Sequence, residues 1–112
     1  MPRYMIRLPD PASARGSTPE LAFTAHGAEA FAEELQAALA TPALFERWRA
    51  LQPDPDEVDP ALGVTDPGAR VRGTQKGLHV LLEADTGIPG DILRQRLRLL
   101  AGNHWELRDV RF

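Results

Sequence analysis

Residues 69–85 read ARVRGTQKGLHVLLEAD, and their reading decides the fold. From residue 78 onward apolar side chains alternate: Leu78, Val80, Leu82 and Ala84 share one face, while His79, Leu81, Glu83 and Asp85 share the other. Successive side chains of a strand point to opposite sides of its sheet, so this period predicts a half-buried strand. Residues 69–75 read as its partner. Lys76-Gly77 supplies the turn of an antiparallel hairpin.

Outward from the hairpin, RYMIRL (3–8) alternates with Tyr4, Ile6 and Leu8 inward, a second half-buried strand. PDPASARGSTP (9–19) is a Pro-, Ser- and Gly-rich loop. ELAFTA (20–25) alternates again, predicting a strand with Leu21 and Phe23 facing in. GAEAFAEELQAALA (27–40) repeats Ala28, Phe31, Ala32, Leu35, Ala38 and Leu39 at three and four residues, which predicts an amphipathic helix. Thr41 is expected to cap a second helix with Pro42 at its first position and Leu44, Phe45, Trp48 and Leu51 as its buried stripe. The acidic stretch 53–68 is a long connection. ILRQRLRLL (92–100) is the core of a last helix, ending at Gly102-Asn103. HWELRDVRF (104–112) closes as a strand whose apolar parity changes between Leu107 and Val110, predicting a bulge near Arg108-Asp109 or an early end to pairing.

The expected order is β-β-α-α-β-β-α-β in a single α+β domain spanning residues 1–112. From residue 20 it contains β-α-β-β-α-β, the ferredoxin-like pattern: a two-layer sandwich, its antiparallel sheet carrying helices on one face only. Arg96 then needs a reading, because it falls in the apolar arc of the last helix. The expectation is that it snorkels past the sheet edge with its head in water. The sharper alternatives are a buried ion pair with Glu83, Asp85 or Glu106, or a second subunit facing Arg96 and Leu99.

Composition narrows the function. The chain has 112 residues, 43% hydrophobic and 26% charged, which are globular values. It contains no cysteine, which excludes disulfides, iron–sulfur clusters, thiolate zinc sites and cysteine nucleophiles. No apolar run reaches signal-peptide or membrane-spanning length, and the expected setting is the cytoplasm. The net charge of −3 gives no reason to expect nucleic acid.

Catalytic and metal motifs are sparse. His26, His79 and His104 are not spaced to chelate together, and no H-E-x-x-H occurs. Asp54, Asp56 and Asp59 invite a calcium reading, but residue 59 lacks the required glycine and residue 65 is Thr instead of a bidentate Glu. A solvated acidic loop is expected there. DTGIPGD (85–91) is a strand–glycine–helix junction of the kind that docks phosphate, yet Asp85 and Asp91 would repel one and no P-loop lysine follows. No cofactor and no metal are expected. Arg94 and Arg98 share a helix face, a candidate basic stripe for nucleic acid or acidic protein, with a solvated face as the plainer expectation.

The uncovered sheet face is expected to present Met5, Arg7, Thr24, Arg70, Arg72, Thr74, His79, Leu81 and Glu83. It offers no aromatic side chain for stacking RNA bases. The leading expectation is a non-catalytic binding or regulatory module using that face, with Arg72, His79 and Glu83 as candidate contacts and a homodimer as one arrangement. The partner would be a protein or small molecule. The alternative from a different class is a cofactor-independent enzyme on a small anionic substrate, with His79 as acid–base and Arg72 orienting the anion.

Overall fold

The computed structural model describes residues 2–112 and is an α+β structure with one open antiparallel sheet of four strands and three α-helices. The strands are β1 (Arg3–Leu8), β2 (Arg70–Lys76), β3 (His79–Asp85) and β4 (Glu106–Arg111), in the order β2-β3-β1-β4. The helices are α1 (Ala28–Ala40), α2 (Ala43–Ala50) and α3 (Gly90–Ala101). Every strand pair is antiparallel. It follows that β1 and β2 run parallel with β3 between them, and β3 and β4 run parallel with β1 between them. Two crossovers, one carrying α1 and α2 and one carrying α3, are thus interleaved.

The hairpin that anchored the sequence reading forms β2 and β3, with Gly77 and Leu78 as its two-residue loop. Gly77 has φ 63°, the conformation that the first central position of a type II′ turn requires. Leu78 does not join the inward face; it is 92% exposed, because the pleat ends where the turn begins. Val80, Leu82 and Ala84 are buried, as are Tyr4, Ile6 and Leu8 on β1. On β4 the register jumps: Asp109 faces Met5 and Leu107 faces Ile6, leaving Arg108 as the extra residue of a bulge. The parity change in the sequence is that bulge.

Residues 20–25 are not a strand, so the expected eight-element order is corrected to β-α-α-β-β-α-β. Leu21, Phe23 and Ala25 are nevertheless buried, as their alternation demands. Their backbone runs across helix ends instead of along a sheet: Phe23 N–H donates to the Leu100 carbonyl and Thr24 N–H to the Glu34 carboxylate. Alternating burial needs only an apolar floor on one side, and here the helices provide it. The preceding loop is tied to the same place. Gly16 N–H also bonds the Leu100 carbonyl, and the Arg15 guanidinium lies 5.5 Å from the Phe31 ring centre. Both bonds satisfy a carbonyl that the end of α3 leaves without a helical partner.

The helices cover one side of the sheet. Phe31, Ala32, Leu35, Ala38 and Leu39 of α1 are buried, as are Ile92, Leu93, Leu97 and Leu100 of α3. Phe31 meets Phe23 edge-to-face at 4.9 Å. α1 approaches β2 so closely that a Cβ on Gly73 would lie 2.1 Å from the Ala28 carbonyl oxygen. α2 departs from expectation: Leu44 is buried, Phe45 and Trp48 are half-buried, and Leu51 is 53% exposed. Pro42 takes the cap position instead of the first helical one, and the Thr41 hydroxyl donates back to the Ala37 carbonyl.

Arg96 corrects all three of its readings. It is 2% exposed, so it does not snorkel, and its partners are carbonyls of the same chain. Its guanidinium donates to Ala38 at the end of α1 and to Leu62 and Val64 in the connection. Residue 42 would normally bond the carbonyl four residues earlier, that of Ala38, but proline has no N–H. Arg96 supplies the missing donor, and a cation at a helix C-terminus is favourable. Burial holds its pKa below the ordinary arginine value. The Leu39 carbonyl is satisfied by Asp66 N–H from the same connection. The stretch 53–68 is therefore partly a plug on the α1 C-terminus, with short 3₁₀ turns at Pro55–Glu57 and Pro60–Gly63.

Candidate binding face

The sheet's second side carries no helix, and its side chains fall into rows set by strand register. One row reads Arg70, Asp85, Arg3, Arg111 from β2 to β4. The next reads Arg72, Glu83, Met5, Asp109, and the third Thr74, Leu81, Arg7, Glu106. Lys76 and His79 close the hairpin end. Taken by strand, charge alternates: β2 is basic, β3 acidic, β1 basic, and β4 adds Glu106 and Asp109 with Arg111.

Most of these charges pair across or along strands. Arg3 Nε lies 2.7 Å from Asp85, Arg72 lies 3.0 Å from Glu83, and Arg7 lies 3.1 Å from Glu106. Arg111 lies 3.0 Å from Asp109 on β4 itself. The Arg3 hydrogen bond and its charge hold the Asp85 carboxyl below the usual range, and the same contact raises Arg3. Arg111, with the Val110 N–H, lowers Asp109 likewise. Such exposed pairs contribute little to stability.

Of the candidate contacts, Arg72 and Glu83 meet. His79 stands four residues from Glu83 on β3, roughly 13 Å along the strand, beside Lys76. Thr24 does not lie on this face, because residues 20–25 are not a strand. Arg3 joins it by the alternation of β1, and Glu106, Asp109 and Arg111 join it from β4. The membership of the β4 residues depends on β4 lying beside β1, which periodicity does not reveal. Arg94 and Arg98 are exposed one turn apart on α3, in the other layer of the molecule, and neither makes an ion pair among the described residues.

The remaining motifs are structural. Asp59 caps a 3₁₀ turn by accepting from Ala61 N–H, and Asp56 lies 3.7 Å from Arg49. No three His, Asp or Glu side chains converge as a metal site among the described residues. At the glycine junction, Gly87 N–H donates to Asp66, which also accepts from the Thr86 hydroxyl and Gly68 N–H. A carboxylate of the chain itself thus occupies that N–H. The Gly87 and Thr86 bonds hold the Asp66 carboxyl below its usual pKa. The local Asp-Pro-Gly sequence marks a turn at Asp66, but its Thr86 and Gly87 partners lie some twenty residues away, where local sequence cannot show them.

No helix among the described residues is long and apolar enough to cross a membrane. Set against protein families, curated proteins and solved structures, the chain matches none.

Proposed function

We propose that this chain is a non-catalytic binding module of the cytoplasm that engages a partner through the uncovered sheet face. The observation that carries the reading is the alternation of charge from strand to strand on that face. The interleaved crossovers support a ferredoxin-like reading of the fold, which by itself implies no activity.

The partner that best matches the pattern is a second copy. A two-fold axis parallel to the strands lays β2 on the partner's β4 and β3 on the partner's β1. Within the first row Asp85 then faces the partner's Arg3, and within the second Arg72 faces the partner's Asp109, while Arg70 meets the partner's Arg111. The enzyme reading draws less support, because Arg72 and His79 stand roughly four residues, about 13 Å, apart along the hairpin.

Light scattering after size exclusion tests the proposal. The native chain is expected at twice 12.3 kDa. Arg72→Glu should yield a monomer, and Arg72→Glu combined with Asp109→Arg should restore the dimer. A monomer at every concentration, or a dimer indifferent to the reversal, overturns the reading.

A further inference from the structure

The sheet has two edges, and they differ. β4 carries the Arg108 bulge, a device that twists an edge away from further pairing. β2 is regular over its whole length against β3. Val71 N–H points away from β3, toward the Gln36 side chain. Strand parity turns the N–H and C=O groups of Gly73 and Gln75 the same way, and these have no partner among the described residues.

Beside this edge runs a groove of about 410 Å³ between β2 and α1. Glu29 and Glu33 line its helix side. On the opposite, uncovered face of β2 stand Arg70 and Lys76, which make no ion pair among the described residues, and Arg72. The edge thus offers free backbone hydrogen bonds with carboxylates on one side and cations on the other.

We propose that the β2 edge is a second binding site, distinct from the sheet face, that takes an extended peptide as a fifth strand. Charge complementarity specifies the occupant. Side chains of an added strand alternate between faces, so one set meets Glu29 and Glu33 and the other meets Arg70, Arg72 and Lys76. The fitting peptide alternates basic and acidic residues. It also continues the strand-by-strand charge alternation that the sheet already shows.

The test is an NMR titration of the ¹⁵N-labelled chain with a short acetylated, amidated peptide of alternating Asp and Lys. The Gly73 and Gln75 amides are expected to shift and to gain protection from exchange. The Arg72 amide, already bonded to β3, should keep its protection. A peptide of the same composition with its Asp and Lys in separate blocks should bind at least about tenfold more weakly, since it loses its cross-strand charge pairs on one face. Glu29→Lys with Glu33→Lys should weaken the alternating peptide by a similar factor and strengthen an alternating Asp-Thr peptide. Both positions are exposed, so the fold should survive, and circular dichroism checks it. Equal binding of the two Asp-Lys peptides, or shifts confined to the sheet face, overturns the proposal. So does Gly73 protection that rises with protein concentration alone, which would assign the edge to a second copy.

Discussion

Arg96 donates from Nη1 to the carbonyl oxygen of Ala38 at 3.1 Å, in place of the N–H that Pro42 lacks. A residue that ends one helix and a residue buried on another thus answer each other. The same guanidinium holds Leu62 and Val64, so one side chain joins α1, α3 and the long connection.

Arg96→Met should therefore cost about 3–5 kcal/mol, because the buried Ala38 carbonyl left without a donor loses roughly 1–3 kcal/mol and the part-buried Leu62 and Val64 carbonyls lose less each. Arg96→Lys should fall between the two, since an ammonium cannot span three acceptors as a planar fork does. Urea unfolding measures both. Native-like stability in the methionine variant would refute the role.

Asp66 should titrate below the ordinary carboxylate range, and its carboxyl resonance reports this directly. Its folded pKa is depressed, so the stability it contributes is complete above the unfolded value of 3.8. That stability is lost as pH falls through the lower folded value. The stability gap between the native chain and Asp66→Asn should accordingly be largest near neutrality and shrink in acid. A gap that does not change with pH contradicts the latch between Asp66 and the Thr86-Gly87 turn.

Gly73→Ala places a methyl group 2.1 Å from the Ala28 carbonyl oxygen, closer than any real contact. The start of α1 must move, at a cost of about 1–3 kcal/mol typical of overpacking. Lowered thermal stability and faster amide exchange in the first turn of α1 are the expected signs. An unchanged melting curve would mean that α1 does not approach β2 so closely.

Phe31→Ala removes a ring that is fully buried and packed edge-to-face on Phe23. The expected loss is about 3–5 kcal/mol. Thermal unfolding at the native temperature would show that this face of α1 is turned elsewhere.

Sequence periodicity by itself determined the inward faces of β1, α1, α3 and, from Val80 onward, β3, and it marked the parity change that β4 realises as a bulge, because each of these is a local matter of which side a residue points to. It also placed Arg72 and Glu83 on one face, but the turn at Gly77-Leu78, one residue beyond the expected Lys76-Gly77, is what sets them opposite each other. Only the tertiary structure decided the rest. It showed that 20–25 lies against helix ends and not beside a strand, for the same alternation serves any apolar floor. It gave Arg96 carbonyl partners and Asp66 its latch, and it set β4 beside β1 to complete the charged face. Those contacts join residues far apart in sequence, and their geometry exists only once the layers have packed.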